Sequence, residues 1–161
     1  MKWSTIFSLA WASTVLATPL QPRDAALCED IEYIIGDYGS LKGSLQGANI
    51  LIPGLSRTDA GAVVRQFLAF LDPANLNVYA LYESIASCTT AGATDVKPPS
   101  AATCSALTKV AADVARAVTL MDSLAKAKDT PDRLEIVPLQ EAVTDATTRL
   151  VTVTTALGCP P

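Results

Sequence analysis

Three groups of residues have the types and spacing to do chemistry. Ser123-Leu124-Ala125-Lys126 spells Ser-x-x-Lys, which sets an amine one helical turn from a hydroxyl that it could deprotonate. Glu29, Asp30 and Glu32 gather carboxyl groups, and a pair of carboxyls can divide the acid and base roles of glycoside hydrolysis. Cys28, Cys88, Cys104 and Cys159 could hold a metal or one another.

Each group also has a plainer reading. Ser123 and Lys126 fall on the outward face of a helical pattern, away from any recess. The three acids crowd the first turns of a helix, where free N–H groups favour negative charge. The chain contains no histidine, which excludes the common serine triad and removes a principal zinc ligand. No Cys-x-x-Cys pair and no glycine-rich phosphate cradle occurs. The expectation is a non-enzymatic protein with no cofactor, no metal and two disulfides, the ordinary use of an even cysteine count in an exported chain.

Export is read from the first residues. Lys2 supplies a positive end, Ile6 to Leu16 an apolar run, and Val15-Leu16-Ala17 a small-residue cleavage site, so residues 1–17 are expected to be a secretory signal. That run is too short to span a bilayer and no later segment is long and uncharged enough, so no transmembrane segment is expected. Residues 18–161 suffice for one domain with its own core. The formal charge is −4, and loss of Lys2 makes the mature chain more acidic still. With no basic cluster, nucleic acid is set aside as a partner.

The elements that must position any site are helical. Leu27, Ile31, Ile34, Tyr38, Leu41 and Leu45 recur at alternating steps of four and three, giving one buried stripe behind an Asp24 cap. Gly36, Gly39, Gly43 and Gly47 each cost about 1 kcal/mol in a helix, so the second half of this arm is expected to fray or kink. A second arm starts at Thr58 or Asp59 and runs to Cys88, with Asp72-Pro73 breaking it into two collinear or kinked helices. Thr89 to Thr103 read as a linker. A third arm carries Leu107, Val110, Val114, Ala117, Met121 and Leu124 and ends near Lys128; a fourth carries Leu139, Val143, Ala146, Leu150, Val153 and Leu157 and stops at Gly158.

Four such arms make an all-α, up-down bundle of four to five helices. Cys28 begins the first arm, Cys88 ends the second, Cys104 begins the third and Cys159 ends the fourth, so all four lie at one pole. Cys28–Cys159 with Cys88–Cys104 is the favoured pairing, and Cys28–Cys88 with Cys104–Cys159 the next.

The opposite pole carries Gly47-Ala48-Asn49-Ile50-Leu51-Ile52-Pro53-Gly54-Leu55, which has the glycines and proline of a loop around large aliphatics. Such a segment either folds down as a plug or stays outside as a lid or contact patch for a lipid, a hydrophobic solid or a protein. The candidate apolar lining or lid is Ile34, Tyr38, Ile50, Leu51, Ile52, Phe67, Phe70 and Met121. Bulky aromatics in the first two arms face small residues such as Ala117 and Ala146 in the last two, which allows dense interdigitation or an elongated apolar slot.

The segment Pro22-Arg23-Asp24-Ala25-Ala26-Leu27-Cys28-Glu29-Asp30-Ile31-Glu32-Tyr33-Ile34 resembles the mature start of the fungal hydrophobic-surface-binding protein A and cell-wall galactomannoprotein family. The resemblance extends along the mature chain as an order of elements. It implies a secreted, extracellular or cell-wall protein that adsorbs to hydrophobic surfaces or holds a fatty acid. The four cysteines and the glycine-rich first arm depart from that pattern. The competing reading is a secreted effector or inhibitor-like module that binds a cell-wall or host protein. Plant invertase and pectin-methylesterase inhibitors, also four-cysteine bundles, space their cysteines differently.

Overall fold

The first stripe closes inward for its whole length. In the computed structural model, which describes residues 23–89 and 99–159, α1 runs Arg23–Leu51 and buries Leu27, Ile31, Ile34, Tyr38, Leu41 and Leu45. The expected signal at 1–17 lies outside the described residues, as do residues 90–98 of the linker expected from Thr89 to Thr103; the ends of that linker are helical, Thr89 closing a one-turn helix and residues 101–103 opening a long one. The fraying expected from the glycines does not occur: Gly36, Gly39, Gly43 and Gly47 are all helical. Tertiary packing of the stripe outweighs their propensity cost.

The segment expected as a loop is therefore mostly helix. Ile50 and Leu51 form the last turn of α1, and the Ile52 N–H still bonds to the Ala48 carbonyl at 3.0 Å. The chain turns at Pro53-Gly54, where Gly54 takes φ 81°, a left-handed conformation that glycine adopts without penalty. A short 3₁₀ turn, Leu55–Arg57, then brings Leu55 into the core at 1% exposure. The plug is Leu55; Ile50 and Leu51 stay outside.

Helix α2, Asp59–Glu83, starts on Thr58, whose hydroxyl accepts from the Gly61 N–H. It is one continuous helix rather than the expected pair. Pro73 lies inside it on an exposed position, and the residue four back whose carbonyl loses its N–H partner, Ala69, is exposed to water as well. A one-turn helix, α3, spans Ala86–Thr89. Helix α4, Ala101–Lys126, is capped by Ser100, whose hydroxyl accepts from the Thr103 N–H; α5, Ile136–Leu157, ends at Gly158 with φ 64°. The fourth arm begins earlier than its stripe, and Pro138 sits within its first turn, where a missing donor costs nothing.

The long helices alternate in direction and pack in a ring, α1 on α2, α2 on α4, α4 on α5 and α5 on α1, without close backbone approach across either diagonal. This is the expected all-α, up-down bundle, with no strand among the described residues. Three of the aromatics share the core with the small residues: Phe67, Phe70, Tyr38, Ala117 and Ala146 are all buried in one continuous cluster, while Tyr33 and Tyr79 are exposed. No helix among the described residues is long and apolar enough to cross a membrane.

Both disulfides form at one pole, but not in the favoured pairing. Cys28 bonds Cys88 and Cys104 bonds Cys159, with Cα separations of 5.3 and 5.5 Å. Each bridge closes a helical hairpin, α1 with α2 and α4 with α5, and neither joins one hairpin to the other. Between the hairpins the same pole is tied by Thr103, buried on α4, whose hydroxyl donates to the Ser84 carbonyl at 3.2 Å.

Candidate functional site

Most of the residues first singled out for chemistry are used by the fold. The Ser123 hydroxyl donates to the Thr119 carbonyl at 2.9 Å, on an exposed face that it shares with Lys126. Asp30 pairs with Arg149 of α5 at 2.8 Å, and Glu32 accepts from the Tyr82 hydroxyl at 2.9 Å. The acids at the start of α1 thus fasten it to its two neighbours. No group of carboxyls or cysteines suited to a metal ion occurs among the described residues.

The candidate lining divides in two. Ile34, Tyr38, Phe67, Phe70 and Met121 are buried, between 0% and 4% exposed, in the closed core. Tyr38 and Phe70 meet edge to face with centroids 6.4 Å apart, and the Arg116 guanidinium covers the outer side of Phe70 at 5.0 Å. The Tyr38 hydroxyl has no hydrogen-bond partner; burial, and secondarily the Asp113 charge, push its pKa up. It is held as a neutral phenol.

Ile50, Leu51 and Ile52 lie at the other pole. Ile50 and Leu51 are 79% and 75% exposed, while Ile52 is half-buried against the core. Large aliphatics that open to water at the end of a helix have no role in holding that helix. Above them the outward side of α1 carries Gly36, Gly39, Gly43 and Gly47, where an added Cβ would meet no neighbour.

Leu51 and Ile52 line a groove of about 400 Å³ between the end of α1 and the start of α5. Ala48, Leu134, Pro138 and Leu139 complete its apolar wall, and Arg133 and Glu135 supply its charges. Sequence reasoning missed the α5 side of this groove. One signal was present: Leu134 is a large aliphatic set between charged residues, Asp132-Arg133 before it and Glu135 after it, and like Leu55 in its own turn it proves buried.

This pole is shaped but not cross-linked. Asp129, from the turn after α4, accepts from the Asp59 and Ala60 N–H groups at 2.8 and 3.2 Å and so caps α2 from outside. Those two bonds, the Asp59 N–H first, hold its carboxyl below the usual carboxylate range. The turn after α4 is therefore held to the start of α2 by a hydrogen-bonded clasp.

Along the α1–α5 seam the balance is less favourable. Arg149 stacks on Tyr33 at 3.8 Å and pairs with Asp30, but Asp37 leaves one carboxyl oxygen buried without a partner. Burial first, then the like charge of Asp145, raise the Asp37 pKa above 3.8, and Arg149 only partly opposes them. The folded state thus holds this proton more tightly than the unfolded chain, and stability falls as pH rises through the raised value. Asp37→Asn is expected to stabilise the bundle at pH 7 by about 0.5–1 kcal/mol, a figure discounted for solvent screening. The gain disappears once pH drops below about 3.8, where both side chains are neutral. Urea midpoints of the two proteins at both pH values check this; an unchanged or lower midpoint at pH 7 refutes it.

Fold and groove together define a disulfide-stapled, up-down four-helix bundle with an apolar cleft at its uncrosslinked end. No protein-family model, no curated protein and no solved structure matches the chain.

Proposed function

We propose that this is a secreted, non-enzymatic protein that binds apolar ligands, a lipid chain or a hydrophobic surface, through the pole opposite its disulfides. One observation carries the reading: Leu51, 75% exposed, lines an apolar groove at the end of α1, and Ile50 beside it in the same turn is 79% exposed. Exposed aliphatics scattered singly are ordinary, but an adjacent pair of which one lines a concave apolar wall forms a surface that gains by being covered. The closed core argues for binding at this groove rather than between the helices. The export-like first residues and the two disulfides support an extracellular or cell-wall setting, as does the resemblance to the hydrophobic-surface-binding family.

Replacing Ile50 and Leu51 together by serine tests this. Neither side chain is buried, so thermal stability should hold within about 0.5 kcal/mol. Retention on an alkyl resin and affinity for a fluorescent fatty-acid probe should fall about tenfold or more, since each residue covered by a ligand contributes on the order of 1 kcal/mol. Undiminished retention and affinity would refute the reading.

A second reading, a module that binds a cell-wall or host protein, draws on a separate patch. Leu76 and Tyr79, one turn apart on α2, are 70% and 46% exposed. A stable protein complex lost on Leu76→Asp but not on the Ile50/Leu51 exchange would favour it.

A further inference from the structure

The groove holds two charges that the fold does not use. Arg133 and Glu135 flank Leu134 in the turn that leads into α5. Leu134 is buried at 6% exposure and its N–H bonds to the Pro131 carbonyl at 2.9 Å, so the backbone that carries both charges is pinned to the groove edge. Their side chains are exposed. The ion pairs among the described residues are Lys42–Asp72 and Arg149–Asp30; Arg133 and Glu135 enter neither and do not pair with each other. Glu135 stands at the cap position of α5 yet makes no side-chain capping bond. One cation and one anion are thus fixed beside an apolar wall, each with its bonding capacity free.

We propose that this groove selects single-chain lipids with a zwitterionic head, whose anionic group lies beside Arg133 and whose cationic group lies beside Glu135, with the chain along Leu51, Ile52, Pro138 and Leu139. The inference rests on the apolar-binding reading above and names the head group of the same site. Charge complementarity sets the choice. A singly anionic head gains Arg133 and meets Glu135, a singly cationic head gains Glu135 and meets Arg133, and only a head with both signs gains at both ends. Because both side chains are exposed, selectivity of about fivefold over either singly charged head is expected rather than a large factor, and it shrinks as salt rises.

Calorimetric titration of the secreted chain at low ionic strength tests this. Four amphiphiles share one decyl chain, each below its micellar concentration: a phosphocholine, a sulfate, a trimethylammonium and an uncharged maltoside. The phosphocholine should bind about fivefold more tightly than the sulfate or the trimethylammonium. Arg133→Ala should abolish its advantage over the trimethylammonium, and Glu135→Gln its advantage over the sulfate. Arg133→Ala should leave the melting temperature unchanged, since that residue is neither buried nor bonded, and Glu135→Gln should lower it only slightly, since its charge favours the α5 N-terminus but is exposed. Sulfate binding as tightly as phosphocholine, or ratios unmoved in both variants, would overturn the head-group assignment. Equal binding of all four heads that is lost on exchange of Ile50 and Leu51 would overturn it while leaving the apolar reading intact; binding of none would overturn both.

Discussion

Removing either disulfide by a paired cysteine-to-serine exchange is expected to cost about 4 kcal/mol, enough to leave a domain of ordinary stability marginal or unfolded at 37 °C. The chain separations are 60 residues for Cys28–Cys88 and 55 for Cys104–Cys159. On the chain-entropy account a loop of that size restricts the unfolded ensemble by about 4 kcal/mol, and the near-equal loops predict near-equal losses. The pairing adds a second, qualitative expectation. Because each bridge closes one hairpin, its loss should loosen one hairpin before the other: without Cys28–Cys88, amides of α1 and α3 near that pole should exchange first, and without Cys104–Cys159, those at the start of α4 and the end of α5. Urea titration followed by hydrogen exchange checks both parts. Losses below about 1 kcal/mol, or faster exchange confined to the opposite pole, would contradict this account of the bundle.

That the four cysteines share a pole was legible from their places at the ends of the arms, but their pairing was not. Cys28 lies to one side of the α1 stripe, and whether that side faces α2 or α5 depends on the hand in which four antiparallel helices close into a ring. Periodicity is identical for both hands. The same limit hid half the groove. Ile50, Leu51 and Ile52 could be singled out as apolar residues with no stripe to join, whereas Arg133, Leu134 and Glu135 become neighbours of Leu51 and Ile52 only when the start of α5 packs beside the end of α1. Element ends were misread where a local cost was set against packing. Four glycines suggested a frayed α1, yet Leu41 and Leu45 continue the buried stripe past them, and burying two leucines at about 1.5–3 kcal/mol each offsets most of the glycine penalty. Pro73 likewise argued for a break in α2, but Ala74 and Val78 beyond it are fully buried, and the helix runs on to bury them.

Gly61→Ala is expected to destabilise the protein by about 2–4 kcal/mol, although alanine is the better helix former by about 1 kcal/mol. Gly61 is buried in the first turn of α2, and a Cβ there would collide with the Leu55 carbonyl oxygen and carbon, backbone atoms that cannot swing aside. That carbonyl is already engaged: it accepts from the Thr58 N–H at 3.0 Å and the Thr58 hydroxyl at 2.7 Å, and the same hydroxyl accepts from the Gly61 N–H at 2.9 Å. Displacing it breaks the cap of α2, worth about 1 kcal/mol, and draws Leu55 out of the core, worth about 1.5–3 kcal/mol. The loss should also reach the groove, because the chain from Ile52 to Leu55 is the short link between that cap and the end of α1. Alkyl-resin retention should therefore change together with stability. Gly43→Ala supplies the opposite sign in the same protein: its Cβ meets no neighbour, so the exchange should stabilise by about 0.8–1 kcal/mol. Chemical denaturation of both variants decides the matter. A Gly61→Ala protein as stable as the parent would mean that Leu55 does not close this end of the bundle, and the assignment of plug and lip along Ile50 to Leu55 would have to be reversed.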